Sequence, residues 1–285
     1  MRLPAFPLDT NPLFRLEARR IRWARSAAYL RHVTFRLGMW IVAPMVLLWL
    51  LRLVTDPSRY RFDTQNWLIF SILIGIPLDI PLDLVCMAVT VSTIGGEVTA
   101  GRWDLLRLTP VDAELIVDTK HAIGQLRSWR TMVIVMAFRL GAIITGCLFV
   151  IYNLMRFGYT PSSGPLELPL TLLVLALFSA IYLLEPLWRM RAMTALGLAI
   201  SSHTRSTVSM SLSAFGAIMA VWLSQAFIMG AFLWLYFRGL RDATRDGLVV
   251  CWSFPFCIGI AGAVYGYYRL LIRRALRHTA RRIEV

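Results

Sequence analysis

Negative charge is what this chain has least of. Asp and Glu supply 16 of its 285 residues against 30 Lys and Arg, and charged residues of both signs make up only 16%. So small a charged fraction, with 58% hydrophobic residues and a mean hydropathy of +0.63, excludes an ordinary soluble domain and calls for long apolar spans. Cysteine is scarce too. Cys86, Cys147, Cys251 and Cys257 fall in apolar stretches, form no CxxC pair and have no histidine at ligand spacing, which leaves no metal-site pattern. His32, His121, His203 and His278 are scattered, without the HExxH layout that hydrolysis inside a membrane needs. Nothing matches GxxxxGK[ST], and no soluble nucleotide domain would fit between the apolar runs. The chain is therefore not expected to be an enzyme, to bind a cofactor of its own or to hold a metal.

What is present is a series of apolar runs near 20 residues long, the length that crosses a bilayer as a helix. They lie at about 37–54, 67–94, 131–155, 169–188, 207–237 and 248–268. The expected fold is all-α: a polytopic six-helix transmembrane bundle preceded by an N-terminal amphipathic interfacial helix. Residues 1–285 form a single transmembrane domain. Within it, 1–36 are a cytoplasmic or interfacial lead-in, 37–94 the first two spans, 95–130 a cytoplasmic coupling segment, 131–268 four further spans and 269–285 a basic tail.

Basic residues set the expected orientation. The N-terminal segment carries Arg2, Arg15, Arg19, Arg20, Arg22, Arg25, Arg31 and Arg36; the tail carries Arg269, Arg273, Arg274, Arg277, Arg281 and Arg282. With Arg102, Arg107, Lys120, Arg127, Arg130, Arg189, Arg191 and Arg205 they give 22 on one side, against 6 in the other loops. That asymmetry places both termini in the cytoplasm. The basic ends read as contacts to anionic lipid rather than to nucleic acid, since no aromatic-interleaved groove accompanies them. Before the first span, Arg15, Arg19, Arg22 and Ser26 share one helical face and Leu13, Phe14, Ile21, Ala24 and Ala28 the other, which predicts a helix lying on the membrane surface.

The longest internal connection is GGEVTAGRWDLLRLTPVDAELIVDTK, residues 95–120. Gly95, Gly96 and Gly101 loosen the chain, WDLLRL makes about two helical turns, and Pro110 stops them because its ring cannot continue the ladder. Thr109 can then cap a new helix, with Pro110 at its first position and Asp112 where a capping-box acid belongs. Trp103, Leu105, Leu106 and Leu108 are left as apolar side chains on a cytoplasmic hook that needs a groove to occupy.

The run Glu97…Gly101-Arg102-Trp103-Asp104-Leu105-Leu106…Thr109-Pro110…Glu114-Leu115-Ile116-Val117…Lys120 resembles the pattern of the type-2 ABC exporter permeases. In that family an acidic residue precedes G-T-L-E-L-L-L-x-T-P and then an E-I-x-x-x-K run. Ala195-Leu196-Gly197-Leu198-Ala199-Ile200-Ser201-Ser202…Arg205-Ser206 is similar to the small-residue turn at the inner end of the family's fourth span. The resemblance implies a transport subunit of a bacterial-type plasma membrane, paired with a second permease chain, identical or not. Energy would come from a separate cytoplasmic ATP-binding subunit that holds ATP and Mg. It also implies that Glu97, Gly101, Arg102, Trp103, Asp104, Leu105, Leu106, Thr109, Pro110 and Lys120 form the contact to that subunit. Arg102 and Trp103 are larger than the family's usual residues, and Glu185-Pro186-Leu187-Trp188-Arg189 interrupts the approach to the second match. The alternative is a non-transporting scaffold subunit built on the same bundle.

Inside the spans, PLDIPLD (77–83) places Asp79 and Asp83 one helical turn apart, with Pro77 and Pro81 expected to break the ladder. Carboxylates at that depth are costly and mark either a structural lock or a functional site. Counting about 1.5 Å per residue, Arg139 lies about 12 Å deep and Asp83 about 16 Å, against about 22 Å for Asp79, so Arg139 is expected to pair with Asp83, with Glu185 as the rival partner. In the fifth span Ser209, Ser213 and Ala217 recur every fourth residue beside Gly216 and Ala220. Such a stripe lets helices approach closely and is a candidate dimer seam or a packing face within one chain. The outer loops are short, and the apolar walls point mildly to a lipid-like or amphipathic cargo.

Overall fold

A computed structural model describes Phe14, Glu17 and residues 27–55, 75, 77–99, 101, 112–157, 167–203, 206–246 and 249–284. Among these residues the regular structure is entirely helical. The helices are α1 (Ala27–Thr55), α2 (Asp79–Val91), α3 (Thr93–Thr99), α4 (Ala113–Phe157), α5 (Glu167–His203), α6 (Thr207–Asp246) and α7 (Val249–Glu284). Six apolar stretches are long enough to cross a membrane: Arg31–Leu51, Asp79–Val98, Ala113–Tyr152, Leu172–His203, Val208–Phe232 and Pro255–Arg282. This is the all-α, multi-pass architecture expected from hydropathy, and a helix is the form in which a lone segment satisfies its own backbone in lipid. Of the expected surface helix, Phe14, Glu17 and the residues from Ala27 are described: Phe14 and Glu17 are helical, Phe14 is fully buried, and Ala28 already belongs to α1.

The helices outrun the apolar stretches. The helix expected after Pro110 is continuous from Ala113 through the apolar run that begins near 131, and α5 continues to His203, beyond the apolar run that ends near 188. Hydropathy marks where lipid would touch the chain, but a helix persists wherever protein covers its polar side chains. Lys120, Gln125, Ser128, Arg189 and Thr194 are all buried in these extensions. Pro81 does not break the chain as expected. It sits in the first turn of α2, where its missing N–H has no helical partner to lose, and only Pro77 stays outside, its carbonyl accepting from Ile80 N at 3.0 Å.

Side-chain pairings give the directions. Trp129 Nε1 donates to Thr34 Oγ1 at 3.0 Å, and Met45 packs on Gly141, so α1 and α4 run parallel. Asp79 faces Arg139 while Thr90 faces Gly124, so α2 runs against α4. Ser201 meets Ile94 and Gly95 while Arg189 meets Asp83, so α5 runs alongside α2. Helices α6 and α7 alternate in turn: Gln225 and Tyr268 reach Glu185, whereas Met210 packs on Gly95 and Ala280 on Leu198. The start of α1 and the arginine-rich end of α7 therefore share one end of the bundle, here the basic end.

Helix α2 is central. Leu82, Cys86 and Met87 pack with Met132, Val133 and Val135 of α4 and with Met190 and Met193 of α5. Thr90, fully buried, sits between two glycines. A Cβ at Gly197 would fall 1.9 Å from Thr90 Oγ1, and one at Gly124 would fall 2.6 Å from Thr90 Cγ2. Only glycine allows the three helices to approach this closely. A smaller cluster at the basic end joins Ile94, Ile116, Val117, Leu198 and Ala280.

Candidate functional site

The two carboxylates of α2 point sideways into the bundle. The helix begins after Leu78, whose side chain makes no cap, and both Asp79 and Asp83 are buried, Asp83 completely. Charges so placed must be paired and hydrogen-bonded to be tolerated. Arg139 of α4 gives Nη2 to both oxygens of Asp79 at 2.7 Å and Nη1 to the Tyr182 carbonyl at 2.7 Å. Arg189 of α5 gives a two-pronged contact to Asp83, from Nε at 2.8 Å and from Nη2 at 2.6 Å. Its Nη1 donates to Gln225 Oε1 at 2.9 Å and reaches Asp79 and Glu185, each at 3.4 Å. Trp222 Nε1 donates to Asp83 Oδ2 at 3.0 Å, and Tyr268 OH donates to Glu185 Oε1 at 2.6 Å. The guanidinium of Arg139 lies over the Tyr182 ring and that of Arg189 over the Trp222 ring, at 4.6 Å and 4.5 Å. Five charged groups from three helices, with aromatic and amide partners on α6 and α7, form one network.

This arrangement corrects the expected pairing. Arg139 meets Asp79 rather than Asp83, and it also meets the rival partner Glu185, at 2.9 Å. Asp83 belongs to Arg189. Depth counted from span boundaries fails for Arg139 because α4 is helical long before its apolar run begins, so 131 is the wrong zero for it. Arg189 is the network residue that sequence reasoning misses: the charge count puts it among the cytoplasmic cations, yet it is 2% exposed, in the bundle interior. One signal existed. Glu185 and Arg189 are four residues apart, so an ion pair can keep that turn of helix inside the bundle.

A cavity of about 450 Å³ opens beside the network. Phe178, Ile181 and Tyr182 of α5, Ala226, Ile228 and Met229 of α6, and Cys257, Ile260, Val264 and Tyr267 of α7 line it. Asp79, Arg139, Glu185, Arg189 and Gln225 bring the charged network to its wall. Its size and mostly apolar lining with a few convergent polar groups are those of a small-molecule site. Among the described residues, no group of three His, Cys, Asp or Glu side chains is placed to hold a metal ion.

At the basic end, Lys120, the sole lysine of the chain, ion-pairs with both Glu97 and Glu17. The two ends of the connecting segment are thus tied to each other and to the N-terminal segment. Gly101 follows α3 with φ +65, the left-handed conformation that closes a helix, and its N–H donates to the Val98 carbonyl at 3.1 Å. Helix α4 starts after Asp112, whose carbonyl accepts from Ile116 N, and Glu114 lies in its first turn. Arg102, Trp103, Asp104, Leu105, Leu106, Thr109 and Pro110, and with them the proposed cap, lie outside the described residues. On α6, Ser213, Gly216 and Ala220 are exposed, while Ser209 and Ala217 are half-buried, Ala217 against the core.

Comparison with protein-family models, with characterised proteins and with solved structures finds no match to this chain.

Proposed function

We propose that this chain is the membrane permease of an ATP-driven exporter, working with a separate cytoplasmic ATPase that docks on the 95–120 segment. The observation that carries the reading is the bridge from Lys120 to Glu97 and Glu17. It joins the beginning and end of the motif-bearing connector, so a push on the residues between would move α3 and α4 together. Helix α3 continues from α2, which holds Asp79 and Asp83, and α4 holds Arg139. A force at the basic end would thereby reach the charged network and the cavity, which is the linkage an alternating-access path requires. The basic excess at that end supports a cytoplasmic position for both termini in a bacterial-type plasma membrane. ATP and Mg would belong to the partner, and a second permease chain would complete the path.

Pull-down from native membrane tests the reading. An ATP-binding subunit in equal amount is expected, with nucleotide hydrolysis lowered about tenfold by Trp103→Ala, Leu106→Asp or Lys120→Ala, the scale of a typical coupling between sites. A stable complex without any ATP-binding subunit would overturn it and favour the scaffold alternative.

A further inference from the structure

The network beside the cavity is not balanced. Asp79, Asp83 and Glu185 bring three carboxyl groups, and Arg139 and Arg189 bring two guanidiniums. Of the six oxygens of these carboxyl groups, one lacks an aligned donor. Asp83 accepts from Arg189 and Trp222, and Asp79 accepts at both oxygens from Arg139 Nη2. Glu185 shares both arginines: its Oε1 accepts from Tyr268 at 2.6 Å and, at longer range, from Arg189 Nη1 and Gln225 Nε2, while its Oε2 lies 2.9 Å from Arg139 Nη2 as an ion pair but has no aligned hydrogen-bond donor. Glu185 also lines the cavity. An acceptor oxygen nearly out of contact with solvent and lacking a donor is a costly state that a ligand can relieve.

The chemistry of the remaining wall narrows the ligand. A single positive charge at Glu185 would make the count three against three; an anion there would leave the excess at two. An N–H donor on the cation would supply the missing hydrogen bond, which a fully alkylated ammonium cannot do. Beyond the head, Phe178, Ile181, Ile228, Met229, Ile260 and Val264 offer only apolar surface. We infer that the cavity between α5, α6 and α7 binds an amphiphile with one protonated amine head, seated on Glu185, and an apolar body along the α6 and α7 wall. That this ligand is the transported substrate rests on the permease reading; that it binds does not.

The test uses the purified full chain in nanodiscs of zwitterionic lipid at pH 7, with empty nanodiscs as the reference for partitioning. The probes are dodecylamine, dodecyltrimethylammonium and dodecanoate, titrated calorimetrically; an alkyl ammonium is protonated at this pH, as lysine is. Saturable binding of dodecylamine is expected, at least about tenfold tighter than either other probe, which corresponds to about 1.4 kcal/mol. Glu185→Gln keeps the shape and removes the surplus charge, and it should lose that preference. Ile260→Trp fills the cavity without touching the network, and it should weaken all saturable binding. Equal or tighter binding of dodecanoate, no saturable binding of dodecylamine, or undiminished binding in Ile260→Trp would each overturn the inference. Should Glu185→Gln fail to assemble, the probe series on the parent and Ile260→Trp still decide it. Because no ATPase is present, failure here is separate from failure of the docking proposal.

Discussion

The two halves of α2 live in opposite packing regimes. Toward the basic end, Thr90 is pressed between Gly124 and Gly197, and the three helices touch through the smallest side chains available. About two and three turns earlier, Asp83 and Asp79 face arginines and a tryptophan, and a cavity opens beside them. Small residues let dispersion contacts hold helices that gain nothing from the hydrophobic effect in lipid. Long charged side chains hold by hydrogen bonding at a distance, and the space they span need not be filled. The first regime suits a pivot, the second a chamber.

Substitution can break that contrast from either side. The largest effect is expected from Arg189→Leu, which leaves Asp83 buried with Trp222 as its remaining partner. Removing one member of such a pair costs about 3–5 kcal/mol. Thermal unfolding in detergent should show it as a sharp loss of the folded fraction, with partial recovery in the double variant Arg189→Leu/Asp83→Leu. An unfolding midpoint equal to the parent's would mean that the network is decoration. Gly197→Val should come next, because its Cβ would land on Thr90; overpacking of this kind costs about 1–3 kcal/mol. Thr90→Ala in the same chain should relieve it, and an absence of relief would show that the close approach lies elsewhere. The smallest effect is expected from Gly216→Leu on α6, which meets no atom within 4 Å in this chain. Its stability should stay within about 0.5 kcal/mol of the parent. Loss of a detergent-stable dimer on size exclusion, at unchanged melting, would sharpen the picture by locating a second copy of the chain on that face.

Much of the fold was legible because bilayer length and backbone satisfaction leave few choices. Six apolar runs could become little else, and the alternation of the helices follows from short connections. The charged residues were legible as a class: Asp79, Asp83, Arg139 and Glu185 all stand out against apolar sequence, and all four join the network. Their partners were not. Asp79 and Asp83 are one turn apart on the same face, so no local rule assigns one arginine to each, and a shift of one turn exchanges the partners. Arg189 was hidden by its neighbours. Arg191 and Trp188 beside it read as the border of a span, while Thr194, Ala195 and Gly197 beyond it continue α5 only because α2 and α4 are there to cover them. Lys120 and Glu97 were picked out by a motif resemblance 23 residues apart, and their contact came from folding.

By itself the sequence determined that this chain crosses a membrane as helices, that its basic excess gathers at one end, and that several charges must be sheltered inside. These are one-dimensional properties, set by the length of apolar runs and by what a residue costs in hydrocarbon. Which acid takes which arginine, which carboxyl oxygen is left without a donor, and that its residue borders a cavity were decided by tertiary structure alone. Side chains from α2, α4, α5, α6 and α7 meet there, and an angstrom of helix rotation or rise decides whether a donor finds its acceptor.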